Sequence, residues 1–87
     1  MLVVPGTDET GDFARSFGEV LKEQRRRLGW SQEDFAFEAG LDRTYVSGVE
    51  RGVRNPTLLI ILKLCRALGV RPSTLLRRAE DATGMQG

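Results

Sequence analysis

The sequence predicts an all-α protein, a compact bundle of five short helices. Apolar residues recur at intervals of three and four through most of the chain, which is the spacing of one helix face. Ser, Thr, Asp, Gly and Pro residues separate these periodic segments, as helix caps and turns do. No segment has the sustained alternation of a strand. A chain of 87 residues is predicted to form one small domain.

Flexible tails are predicted at residues 1–12 and 81–87, on either side of a folded domain at 13–80. The N-terminal segment is rich in Gly, Thr and acidic residues, a composition that buries too little apolar surface to become ordered. The first helix is predicted to begin between Phe13 and Ser16. Its inward face is predicted to carry Phe17, Val20, Leu21 and Leu28, with Gln24 as an unusual polar member.

The second and third helices are predicted to meet at a sharp turn at Gly40. Ser31 is suited to cap the second helix, and Asp34 three residues later completes an approximate capping box. Gly40 can adopt the positive φ angle that a turn directly after a helix requires. Asp42 is predicted to cap the third helix, which runs to Glu50.

The third helix has an apolar side and a polar side. Val46 and Val49 are predicted to face inward, while small and basic side chains face outward. This arrangement is typical of a helix that enters the major groove of DNA.

The last two helices follow proline-containing segments. Pro56 suits the first turn of the fourth helix and Pro72 that of the fifth, because proline has no N–H to leave unpaired. The core stripe of the fourth helix is predicted to be Leu58, Ile61, Leu62, Cys65 and Leu68.

The composition excludes several classes of function. The chain has no histidine and one cysteine, so neither a metal site nor an internal disulfide is expected. It lacks paired catalytic carboxylates, a Gly-rich phosphate loop and a nucleophile motif, so no enzyme activity, cofactor or small-molecule substrate is expected. No apolar run approaches membrane-spanning length and the first residues do not resemble a signal peptide, which predicts a cytoplasmic protein without membrane contact.

The charge is concentrated although the net charge is only +1. The segment 15–78 contains all 13 Lys and Arg residues but only 7 of the 12 acidic residues. A basic folded body with acidic ends is compatible with a phosphate-binding surface. An ordinary solvated surface accounts for the charges equally well.

An ordered set of motifs in the central helices resembles the Cro/C1-type (XRE) helix-turn-helix family, over about residues 15–78. The segments that carry the resemblance are GWSQEDFA at 29–36, AGLD at 39–42, Val46, VERG at 49–52 and Asn55-Pro56. The run LDRTYVSGVER at 41–51 is especially similar to the controller proteins of restriction–modification systems.

The resemblance implies a lambda-repressor-like bundle whose third helix, residues 42–50, enters the major groove of double-stranded DNA. It also implies a homodimer that binds a palindromic operator, with half-sites about one helical turn apart. The implied function is a sequence-specific transcriptional regulator. An antitoxin-like or other protein-binding module on the same scaffold is the alternative, and a partner protein recovered in stoichiometric amount would favour it.

Four outward residues of the third helix are candidate base contacts. The Arg43 guanidinium matches the two acceptors of guanine, and the alternative is a single phosphate contact. Thr44 suits a thymine methyl or a backbone oxygen, or else it supports the helix cap. Tyr45 is expected to contact DNA, with packing on the turn as the alternative. Ser47 is small enough to allow close approach to the groove.

Five residues are candidate phosphate contacts. Gly48 costs a helix about 1 kcal/mol relative to Ala, so we expect it to permit close approach to DNA. Gln32 matches the phosphate-binding glutamine of the family, at a helix N-terminus that favours anions. The other candidates are Ser31, Arg54 and Asn55.

Two further sets of residues are predicted to be structural. Arg25 and Glu50 match a salt bridge that the family forms between the first and third helices. A second apolar face on the fourth and fifth helices predicts a dimer interface, unless the fifth helix folds back and covers it. Its members are Ile60, Leu64, Leu75 and Leu76.

Overall fold

A computed structural model describes residues 9–84, which form five α-helices and no strand. The all-α prediction is therefore confirmed. The helices are α1 (Glu9–Arg27), α2 (Gln32–Ala39), α3 (Arg43–Glu50), α4 (Leu58–Leu68) and α5 (Pro72–Thr83). Helix α1 packs against α5 and α3, and α2 packs against α3 and α4. None of the helices in this range is long and apolar enough to cross a membrane.

The core is mostly aliphatic and draws on all five helices. Phe35 is its largest fully buried side chain. Trp30 lies at its edge, with its ring centroid 6.2 Å from that of Phe35. Removal of this apolar surface from water is the main force that holds the short helices together. The buried apolar residues are Phe17, Val20, Leu21, Phe35, Ala36, Ala39, Val46, Val49, Leu64, Cys65, Leu68, Leu75 and Ala79.

The predicted caps of the central helices are confirmed. The Ser31 hydroxyl accepts a hydrogen bond from Asp34 N at 3.0 Å, and Ser31 N donates to the Asp34 carboxylate at 3.0 Å. Gly40 ends α2 with φ 70°, and Leu41 N donates to Ala36 O at 2.8 Å. Such a cap satisfies the last carbonyl groups of the helix while the chain changes direction.

The outer helices are longer than predicted. Helix α1 begins at Glu9 rather than near Phe13, and an ion pair between Asp12 and Arg15 supports its first turns. Helix α5 continues to Thr83, whose hydroxyl donates to Glu80 O at 2.8 Å. Helical structure therefore extends into both predicted tails. The remaining tail residues, 1–8 and 85–87, lie outside the described residues.

Several apolar residues do not lie where helical spacing placed them. Leu28 is 48% exposed because α1 ends at Arg27, and Leu58 and Leu62 are 83% and 36% exposed on α4. Conversely, Leu64 and Leu75 have no exposed surface. The prediction of Leu64 and Leu75 as dimer-interface residues is wrong, because both side chains fill the core of a single chain.

Candidate nucleic-acid interface

One side of α3 is anchored in the core, and this fixes which side faces outward. Val46 and Val49 are almost completely buried. Arg43 and Thr44, at the start of the helix, are exposed, and Tyr45 is half-buried. Ser47 is also half-buried. The four predicted base contacts therefore keep exposed surface on α3, whereas the two valines attach the helix to the bundle.

The Asp42 carboxylate organises the first turn of α3. It accepts hydrogen bonds from Thr44 N at 2.8 Å and from the Thr44 hydroxyl at 2.7 Å. These hydrogen bonds, chiefly that of the Thr44 side chain, hold the pKa of Asp42 below its ordinary value. The carboxylate is thus charged at neutral pH, and its stabilising effect on the cap is lost as the pH falls through the lowered pKa. The Thr44 hydroxyl proton serves the cap, so Thr44 has its methyl group and oxygen lone pairs for a further contact.

Arg43 follows this cap and is exposed. Its guanidinium forms no hydrogen bond or salt bridge with any part of the chain from 9 to 84. The backbone of Arg43 is held by α3 while its charge remains in water. A fixed helix start with a free guanidinium is suited to contact an acceptor pair on a base or a phosphate oxygen.

A buried ion pair joins α1 to the end of α3. Arg25 Nε donates to Glu50 Oε2 at 2.7 Å and Arg25 Nη2 to Glu50 Oε1 at 3.0 Å, a two-point contact. Arg25 Nη1 also donates to the Trp30 carbonyl oxygen at 2.8 Å. The side chains of Arg25 and Glu50 are only 8% and 2% exposed. This ion pair therefore fixes the C-terminal end of α3 relative to α1 and the α1–α2 turn.

The same ion pair also holds Gln32, the first residue of α2. Gln32 Nε2 donates to Glu50 Oε1 at 2.9 Å. One amide hydrogen of this predicted phosphate contact is thus used within the protein, and the half-buried side chain is held at a defined place. Ser31, the neighbouring candidate, is exposed, and its hydroxyl oxygen accepts the capping hydrogen bond described above.

The prediction of Gly48 as a phosphate contact is wrong. Gly48 is buried under the side chain of Arg54, and a Cβ atom there would overlap Arg54 Cγ. The glycine therefore has a packing role within the protein. Arg54 and Asn55 are exposed in the loop after α3, as phosphate contacts require.

Gly18, in the middle of α1, has a role that the sequence did not reveal. A Cβ atom at this position would lie 2.5 Å from the Val49 carbonyl oxygen and closer still to that of Glu50. The absence of a side chain thus allows α1 to contact the backbone at the end of α3. The available signal was a glycine inside a helical pattern, which costs helix stability and calls for a packing reason.

Two helices joined by a tight turn, with the second anchored by two valines and a buried carboxylate, form a helix-turn-helix. The helix-turn-helix family (HTH_3) matches residues 21–75, and the chain belongs to this family. Its Cro/C1-type (XRE) members are DNA-binding transcription regulators.

Relatives in this family include restriction–modification controller proteins. The control protein C.BamHI from Bacillus amyloliquefaciens is 44% identical over 68 residues, which cover 77% of this chain and 84% of that protein. The crystal structure of the controller protein C.AhdI from Aeromonas hydrophila is 53% identical, with a TM-score of 0.70, and covers 74% of this chain and 96% of the other. The controller protein C.Esp1396I, crystallised as a tetramer in complex with its natural 35 base-pair operator, is 31% identical, with a TM-score of 0.74 and coverages of 82% and 93%.

Proposed function

We propose that this protein is a sequence-specific transcriptional regulator that places α3 in the major groove of its operator. The observation that carries the proposal is the combination of an exposed Arg43 at the start of α3, which forms no hydrogen bond or salt bridge among residues 9–84, with a firmly anchored inner side of the same helix. A recognition helix must be held by the domain while its outer side chains remain free for base edges. Helix α3 meets both requirements.

The exposed residues fall into two groups with different tasks. Arg43, Thr44, Tyr45 and Ser47 lie on α3 and are assigned to base edges. The assigned phosphate contacts lie at the flanking helix start and loop, and they are Ser31, Gln32, Arg54 and Asn55. Phosphate contacts of this kind orient the protein on the duplex, while contacts to base edges select the sequence.

The proposed active form is a homodimer on a palindromic operator. Leu58, Leu59 and Leu62 form an exposed apolar patch on α4, with Leu58 and Leu59 more than 70% exposed. The half-buried Ile60 and Leu76 are the two predicted interface residues that retain exposed surface. An apolar patch on a small domain favours association, and the tetrameric C.Esp1396I relative on its operator supports binding as a multimer.

We expect Leu59→Glu to shift the protein toward monomer in sedimentation equilibrium, because a charged group cannot be buried unpaired at an apolar contact. The affinity for the operator should fall as the dimer dissociates. Leu28→Glu is the matched control, since Leu28 is an exposed leucine outside α4. A Leu59→Glu protein with the association constant of the wild type would place the interface elsewhere.

The proposed function is tested by selecting bound sites from a random DNA pool. The expected result is a short palindrome whose half-site centres lie about one helical turn apart. This single experiment reports binding, sequence preference and symmetry together. Recovery of no enriched sequence would exclude a sequence-specific regulator.

Arg43→Ala tests the assignment of α3 to base reading. We expect affinity for the selected operator to fall by about 10- to 100-fold, which corresponds to the discrimination of one two-point arginine–guanine contact. Affinity for random DNA should change much less. Titrations of both DNAs at one salt concentration measure the two effects. Equal losses on the two DNAs would mean that Arg43 contacts only phosphate.

A further inference from the structure

The loop after α3 lies back on α3 at Gly48. The backbone N–H groups of Val53 and Arg54 both donate to the Gly48 carbonyl oxygen, at 2.9 and 3.2 Å. The Arg54 side chain then passes over Gly48. A Cβ atom on Gly48 would lie 3.4 Å from Arg54 Cβ and 3.5 Å from Arg54 Cδ, and it would overlap Arg54 Cγ. The loop is therefore attached to α3 through both the backbone and the side chain.

The charged end of Arg54 lies beside Tyr45. The guanidinium carbon is 5.9 Å from the centroid of the Tyr45 ring, near the outer limit of a cation–π contact. Tyr45 lies one turn before Gly48, so the Arg54 side chain runs along α3 from Gly48 to Tyr45. Its charge thereby joins the outer surface of α3. Because the stem is already confined, less side-chain entropy is lost when the charge is used in binding.

We propose that Gly48 is a positioning residue for DNA binding that acts through Arg54. The inference rests on the proposed function. Gly48 itself contacts no DNA, and its missing side chain lets the Arg54 stem lie flat against α3. Any side chain at this position would displace the stem and move the guanidinium away from Tyr45.

A double-mutant cycle on the selected operator tests this coupling. Arg54→Ala removes one charge-assisted contact and is expected to lower affinity about 10-fold. Gly48→Ala should lower affinity by a similar factor, because Arg54 is displaced. The double variant should bind no worse than Arg54→Ala alone, since no Arg54 side chain remains to be displaced. Cooperative melting of the double variant would also confirm that Ala is tolerated at position 48 when the space is free.

An NMR measurement on the free protein tests the geometry without DNA. Tyr45 is the only tyrosine, and its ring current should shift the Arg54 δ-proton resonances in the wild type but not in Gly48→Ala. If the wild type binds its selected operator and the Gly48→Ala variant binds it with the same affinity, this inference is overturned while the proposed function stands. An additional loss from Gly48→Ala in the Arg54→Ala background would also overturn it, because Gly48 would then act independently of Arg54. Failure of the wild type to enrich any sequence would overturn the inference and the proposed function together.

Discussion

Replacement of Glu50 by alanine is expected to destabilise the domain by about 3–5 kcal/mol, because it leaves the Arg25 guanidinium buried without its counterion. Arg25 donates two hydrogen bonds to Glu50 at 2.7 and 3.0 Å, and Gln32 donates a third at 2.9 Å. For a domain of this size the loss corresponds to a fall of roughly 15 °C or more in Tm. Urea unfolding and calorimetry measure both quantities.

Two controls separate the buried charge from other effects of the substitution. Glu23→Ala removes an exposed partner of Arg27, 3.6 Å away, and should cost less than about 0.5 kcal/mol. The double variant Arg25→Met, Glu50→Leu should recover most of the stability, because apolar side chains of similar volume often replace a buried ion pair without loss. A Glu50→Ala protein within about 1 kcal/mol of the wild type would contradict the prediction.

The central helices could be predicted from sequence because their caps depend on residues within a few positions of one another. Ser31 with Asp34, and Asp42 with Thr44, form hydrogen bonds across two or three residues. Such contacts are encoded locally and need no knowledge of the fold. The inward positions of Val46 and Val49 likewise followed from the spacing within one short helix.

The buried side of α4 could not be predicted in the same way. Its sequence, LLIILKLCRAL, is apolar around most of its circumference, so helical spacing alone does not select a stripe. The choice depends on where α2 and α5 pack against it, which is a long-range property. For this reason the spacing predicts Leu58 and Leu62 in the core and Leu64 at an interface, whereas Leu64 is the buried residue of the three.

The candidate site likewise has one part that follows from the local sequence and another that depends on how the chain packs. The exposure of Arg43 and Thr44 on α3 followed from the helix pattern, whereas the burial of Gly48 by Arg54 depends on the path of the loop after α3. A loop that returns to its own helix leaves no periodic signal. A glycine inside a helical pattern indicates a close approach, but the pattern does not distinguish approach by DNA from approach by the neighbouring loop.

Gly18 in α1 and Gly48 in α3 therefore have different roles, and Gly18 should be the more costly to replace. A methyl group at Gly18 would meet backbone atoms, 2.7 Å from Glu50 C and 2.5 Å from Val49 O. Backbone at the end of a packed helix cannot rotate away as the Arg54 stem can. Relief requires that α1 and α3 move apart, which disturbs the Val49 packing and the Arg25–Glu50 ion pair as well.

We expect Gly18→Ala to lower the free energy of unfolding by about 2–3 kcal/mol, even though alanine favours a helix over glycine by about 1 kcal/mol. Glu19→Ala is the matched control, because it introduces the same residue at the next, exposed position of α1 and should change stability by less than about 0.5 kcal/mol. Chemical denaturation of both variants measures the difference. Operator affinity of Gly18→Ala should also fall under conditions where the protein remains folded, since the end of α3 is displaced. An increase in stability, as helix propensity alone dictates, would mean that α1 and α3 do not approach each other at Gly18.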